Sequence, residues 1–104
     1  MEQRRSRRFA LQLPVSITRN GTERIQQIGL TKNISSGGVL FTASTGPDIG
    51  VSIEYIIALG GSSDQKVNLR CIGKVLRTNR SNGTDDSYDI AATLERYEFM
   101  RAEE

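Results

Sequence analysis

Apolar and polar residues alternate along most of this chain, a pattern that predicts β-strands. The first alternating run covers residues 11–18 and leads into Asn20-Gly21, a dipeptide typical of a tight hairpin turn. A second run follows at about residues 24–32. Its apolar residues change phase between Ile25 and Ile28, so we expect a β-bulge in this strand.

Four further strand patterns follow, at residues 39–42, 51–59, 67–76 and 88–94. Polar or glycine-rich segments separate them. Six short strands with this punctuation predict an all-β fold, either a small antiparallel barrel or a sandwich. Residues 95–103 contain no Gly, Pro or β-branched side chain, which favours a short C-terminal helix. Tyr97 and Met100, with Phe99, would anchor that helix and could contribute to a homodimer.

The composition restricts where and how the protein works. A chain of 104 residues is long enough for one small domain. Its only cysteine, Cys71, lies in an apolar alternation and is expected to be a buried thiol in a reducing compartment. No apolar run is long enough for a leader or a membrane span, so we expect a cytoplasmic protein without membrane contact.

The same composition argues against an enzyme. The chain has no histidine, the usual general base near neutral pH and the commonest metal ligand. A single cysteine cannot form a thiolate metal site. Three nearby carboxylates, Asp85, Asp86 and Asp89, fit a solvated turn better than a calcium loop. We therefore expect no catalytic residues, metal or cofactor.

The positive charge is concentrated at the N terminus. Residues 1–8 contain four Arg and one Glu, while residues 9–104 contain ten basic and eleven acidic residues. A protein that coats nucleic acid usually spreads its basic residues over a face, whereas this distribution suits one small anion. We divide the chain into a flexible ligand-binding arm, residues 1–9, and a barrel domain with its helix, residues 10–104.

Two short motifs are candidates for the binding site. The arm contains Arg4-x-x-x-Arg8, and arginine can bind a phosphate or a guanine edge with two hydrogen bonds. The turn between the second and third predicted strands contains Asn33-x-Ser35-x-x-Gly38, whose glycines allow a ligand to approach the backbone. Taken separately, the first motif is typical of a solvated basic tail and the second of an ordinary hairpin turn.

In this order, about 25 residues apart, the two motifs resemble those of the PilZ domain family, small bacterial barrels that bind cyclic di-GMP. The resemblance covers nearly the whole chain and implies a six-stranded antiparallel barrel with a terminal helix. It also implies a set of ligand-binding residues: Arg4 and Arg8 for phosphates and guanines, Asn33 for a guanine, Ser35 for polar groups, Gly37 and Gly38 for an open turn, Arg5 as a further contact, and Gln3 and Ser36 as secondary ones.

The resemblance therefore implies a cyclic di-GMP receptor with no enzymatic activity. We expect binding to order the arm and to present a new surface to a downstream protein partner. Two alternatives remain at this point. One is a PilZ-like adaptor that acts through protein contacts without nucleotide. The other is a small nucleic-acid-binding barrel, although such a barrel needs exposed aromatic residues on a strand face and few are available.

Overall fold

A computed structural model describes residues 9–44, 46–61, 66–80 and 87–102. The described residues form seven strands: β1 Pro14–Asn20, β2 Glu23–Ser35, β3 Gly38–Ala43, β4 Ser52–Gly61, β5 Lys66–Arg80, β6 Tyr88–Thr93 and β7 Arg96–Ala102. All pairs of neighbouring strands are antiparallel. Within these ranges no helix capable of spanning a bilayer is found.

Six of the strands close into a barrel in the order β4-β1-β2-β3-β6-β5, with β5 pairing back to β4. The fifteen-residue β5 makes closure possible because it changes partners along its length. Its residues 66–74 pair with β4, and its residues 75–80 pair with β6. The alternation left a barrel and a sandwich open, and the closed six-stranded antiparallel barrel implied by the family resemblance is confirmed.

The inward-facing residues of the barrel strands form one apolar core. Phe41 and Tyr55 lie at its centre, both fully buried, with their rings stacked at a centroid distance of 5.6 Å. The Tyr55 hydroxyl donates a hydrogen bond of 2.9 Å to the carbonyl oxygen of Thr93. Burial raises the pKa of the Cys71 thiol to about 12, so this side chain is a protonated core residue rather than a reactive thiolate.

The predicted bulge in the second strand is present. Between Arg24 and Gln27, β2 carries one residue more than β1. The extra residue changes which side chains face the core. Ile25 packs against the core, whereas Ile28 and Leu30 point outward and are exposed. The phase change in the sequence was therefore the signature of this bulge.

The predicted C-terminal helix is wrong, because residues 96–102 form strand β7. This strand pairs with residues 66–72 of β5, on the edge that β5 leaves open beyond the closed barrel. A helix of nine residues is marginal by itself, and a free strand edge offers the same backbone a full set of hydrogen bonds. Tyr97 and Phe99 do not anchor the segment to the core: they are exposed on β7 and contact each other edge to face.

An ion-pair network attaches β7 to the barrel. The Arg70 guanidinium hydrogen-bonds the Glu54 carboxylate on β4 and, at 2.9 Å, the Glu98 carboxylate on β7. Burial acts to raise the pKa of Glu54, but the hydrogen bonds from Arg70 and Thr18 outweigh it and hold that pKa below its ordinary value. Glu54 therefore remains ionised and keeps the network intact near neutral pH.

Candidate functional site

The turn between β2 and β3 contains the Asn33–Gly38 motif, and Ser35 holds its shape. The Ser35 hydroxyl accepts a hydrogen bond from the Gly37 backbone N–H and donates one to the Gly38 carbonyl oxygen, both at 3.3 Å. The Gly37 carbonyl in turn accepts a 3.1 Å bond from the N–H of Leu94, just after β6. Because its proton is committed to Gly38, Ser35 has only acceptor capacity left for a ligand.

The two glycines of the turn have different roles. Neither has a positive φ, so neither is required for backbone angles that other residues rarely adopt. A Cβ atom on Gly38 would lie 2.7 Å from the Ala92 carbonyl oxygen on β6, whereas one on Gly37 would meet nothing within 4 Å. Gly38 is needed because β3 and β6 approach each other closely, and Gly37 leaves open space above the turn.

This difference predicts opposite outcomes for two matched substitutions. Gly38→Ala is expected to destabilise the protein by about 1–3 kcal/mol, because the added methyl group overpacks against backbone. Gly37→Ala should change the free energy of unfolding by less than about 0.5 kcal/mol. Urea denaturation measures both values. Equal stability of the two variants would contradict the close approach of Gly38 to β6.

A backbone pair brings the start of the described chain to this turn. The Phe9 N–H donates to the Ile34 carbonyl at 2.8 Å, and the Ile34 N–H donates to the Phe9 carbonyl at 2.9 Å. Buried Thr31 secures the segment that follows: its hydroxyl accepts from the Leu13 N–H at 2.9 Å and donates to the Leu11 carbonyl. Phe9 is thus fixed beside the residue that separates Asn33 from Ser35.

The candidate residues of the arm, Gln3, Arg4, Arg5 and Arg8, lie outside the described residues. The turn residues are all described, and four of them line one cleft on the outer surface of the barrel: Asn33, Ser35, Gly37 and Gly38. Ser36 is exposed and does not line it. The structure therefore brings the predicted turn residues together, and the arm's covalent attachment point, Phe9, is paired with the same turn.

The cleft has a volume of about 440 Å³, within the usual range for small-molecule sites. Its floor and far wall come from β3, β5 and β6, in residues that sequence reasoning did not select: Val39, Leu40, Leu76, Arg77, Ala91 and Ala92. The floor is mostly apolar, and the far wall supplies one guanidinium, that of Arg77. Such a combination suits a ligand with a flat ring and anionic or hydrogen-bonding groups.

A β-bulge on each side of the cleft directs the lining residues toward it. At Lys32, β2 carries one residue more than β3, directly before Asn33. At Leu76, β5 carries one residue more than β6, directly before Arg77. The second bulge explains why alternation alone did not predict this wall. In a regular strand Arg77, two residues after the buried Val75, would face the core as well. The extra residue Leu76 shifts the alternation by one position, so Arg77 faces outward instead.

The fold and cleft define a small antiparallel barrel with a surface site at one interstrand turn. The chain belongs to the PilZ domain family, whose model matches residues 2–99. PilZ domains are generally cyclic di-GMP effectors that bind ligands and partners, and are not known as enzymes.

A solved structure similar to this one is that of the Bacillus subtilis inhibitor of motility MotI/DgrA. The TM-score is 0.70 at 20% sequence identity, over 92% of this chain and 44% of that one. At this identity the likeness supports the fold, and the chain spans less than half of the length of MotI/DgrA. No curated protein matches the chain significantly.

Proposed function

We propose that this protein is a cyclic di-GMP receptor and that it binds the nucleotide between its arginine-rich arm and the outer cleft at the β2–β3 turn. Family membership supports the ligand class. The observation that carries the proposal is the Phe9–Ile34 backbone pair, because it joins the base of one motif to the middle of the other. Arg8 directly precedes Phe9 in the sequence, so the second arginine of the arm motif is covalently joined to this pair.

In this proposal the turn motif and the arm motif contact different groups of the ligand. Asn33 reads a guanine edge, and Ser35 accepts a hydrogen bond while holding the turn. Arg4 and Arg8 engage phosphates and guanines, with Arg5 and Gln3 as further contacts. The open space over Gly37 lets the nucleotide approach the turn backbone. Charge complementarity favours this division, since the chain's excess positive charge lies in the arm and cyclic di-GMP carries two phosphates.

The arm also provides the proposed signal. Fixing a residue's backbone costs roughly 1–2 kcal/mol, and each hydrogen bond to a charged group contributes about 1.5–3 kcal/mol, so a few such bonds offset the ordering of several residues. The bound arm would then present a new surface to a protein partner. Phe9 and Leu11 are exposed at the arm's base, and exposed Leu30 directly precedes Thr31, whose hydroxyl donates to the Leu11 carbonyl. These apolar side chains could serve such a contact. The solved relative's description as an inhibitor of motility is consistent with action on another protein.

Titration calorimetry with cyclic di-GMP tests binding, and hydrogen exchange tests the arm. We expect saturable heat, a rise in the unfolding temperature, and slower exchange of the amides in residues 2–8 when ligand is present. Neither heat nor a thermal shift at high micromolar ligand would refute the receptor and leave the adaptor alternative. The same titration is carried out with single-stranded DNA. Tight DNA binding that falls steeply with salt would favour the nucleic-acid alternative.

A further inference from the structure

A β-bulge in β5 forms the far wall of the cleft, opposite the β2–β3 turn, and places two consecutive residues, Leu76 and Arg77, on the cleft surface. Val75 pairs with Ala92 and Arg77 pairs with Ala91, so Leu76 is an extra residue. At a bulge two residues oppose one on the neighbouring strand. Leu76 and Arg77 are both exposed, and both line the cleft beside Ala91.

Strand register then sets the distance between this wall and the predicted motif. Asn33 pairs with Leu40, Leu40 with Ala91, and Ala91 with Arg77. Asn33 and Arg77 therefore stand at the two ends of one row that crosses four strands, about 14 Å at the usual interstrand spacing. The two inner positions of the row, Leu40 and Ala91, form an apolar floor with the small Ala91 side chain at its low point.

The Arg77 guanidinium makes no ion pair or hydrogen bond with any residue that the structure describes. Arg70 and Arg80 differ in this respect: Arg70 binds two carboxylates, and Arg80 lies over the Tyr88 ring at 5.4 Å. No ion pair or hydrogen bond to a described residue engages Arg77, although it lines the cleft. Its donors are available to a ligand that rests on the apolar floor.

We infer that Arg77 determines base specificity at this site: it donates two hydrogen bonds to the O6 and N7 atoms of a guanine that lies flat on Leu40, Leu76 and Ala91. Resting on the proposed function, this inference adds a guanine-reading residue outside the two motifs. A purine base fits between the side chains of Asn33 and Arg77. The planar guanidinium presents two parallel N–H donors, a fork that matches the acceptors O6 and N7 of guanine. Adenine presents an amino donor in place of O6, so the same fork selects against it.

The test measures Arg77→Ala and Arg77→Lys against Arg24→Ala by titration with cyclic di-GMP and by competition with cyclic di-AMP. Arg24 is a matched control, because it is exposed and lies nine residues from Asn33 along β2, near the opposite hairpin. We expect Arg77→Ala to weaken cyclic di-GMP binding about tenfold and to reduce the preference for guanine by a similar factor. Arg77→Lys should lose most of the preference as well, because lysine keeps the charge but not the fork.

Other outcomes would overturn the inference in distinguishable ways. Unchanged cyclic di-GMP affinity in Arg77→Ala would remove Arg77 from the site. Full recovery of affinity and preference in Arg77→Lys would show that Arg77 acts as a charge near a phosphate and not as a base reader. Wild-type protein that binds neither nucleotide would refute the receptor proposal itself. The unfolding midpoint of each variant should match that of the wild type, since Arg77 is exposed.

Discussion

Replacing Arg4 and Arg8 together with alanine is expected to reduce cyclic di-GMP affinity by at least about 100-fold. Each arginine supplies charge-assisted hydrogen bonds worth about 1.5–3 kcal/mol, so the loss of either one should weaken binding at least tenfold. The barrel should remain as stable as the wild type, because every described residue in the core or packed against it lies at position 13 or later. Calorimetric titration of the double variant and of each single variant measures the loss.

Loss of charge alone is controlled by a second double variant, Arg24→Ala with Lys66→Ala. It removes the same number of positive charges, two, from exposed positions on β2 and β5 that do not line the cleft. We expect it to bind cyclic di-GMP within about threefold of the wild type at physiological salt, where exposed charges beyond about 8 Å are largely screened. Equal losses in the two double variants would indicate general electrostatic attraction and would contradict a specific role for the arm.

Phe41→Ala should be the most destabilising of the substitutions considered, with an expected loss of about 3–5 kcal/mol in the free energy of unfolding. The ring is fully buried at the centre of the barrel and stacks on Tyr55, so its removal leaves a cavity that closed strands cannot easily fill. Native domains are stable by only about 5–15 kcal/mol. The variant should therefore unfold at a much lower urea concentration, as measured by circular dichroism.

Phe99→Ala provides the matched control for this prediction. It removes the same side chain from β7, where Phe99 is 66% exposed and its ring meets the Tyr97 ring edge to face. Its effect should stay within about 1 kcal/mol, since little area is withdrawn from water. If Phe99→Ala were as destabilising as Phe41→Ala, the ring would have to be buried in solution, and β7 would have a covering element that the described residues do not include.

Local alternation was sufficient to predict the six barrel strands, because each has one face in the core and one in solvent. It could not predict β7. Residues 95–103 have good intrinsic helix propensity, and the edge that β5 leaves open, which decides their structure, depends on contacts with residues 66–72. The missed strand is a case in which tertiary hydrogen bonding outweighs local preference.

From the sequence, the site residues could be predicted only at the β2–β3 turn, where turn-forming residues lie close together in the chain. Asn33, Ser35 and Gly38 could be identified because turn-forming residues cluster there, although the reason for Gly38 is the approach of β6 rather than its own backbone angles. The far wall was not predictable. Leu76 and Arg77 line the cleft at a bulge against β6. Unlike the bulge in β2, this one leaves no phase change in the sequence, because no apolar residue follows Leu76 in β5.

The Phe9–Ile34 pair has a kinetic and thermodynamic consequence for the proposed receptor. Since Phe9 is held at the turn, residues 1–8 meet a bound nucleotide as an intramolecular group, at an effective concentration in the millimolar range for a short tether. A separate peptide of residues 1–8, added to a barrel that starts at Phe9, would have to reach comparable concentrations to restore binding. Proteolytic removal of the arm would therefore desensitise the receptor to its messenger even if the released fragment remained in solution.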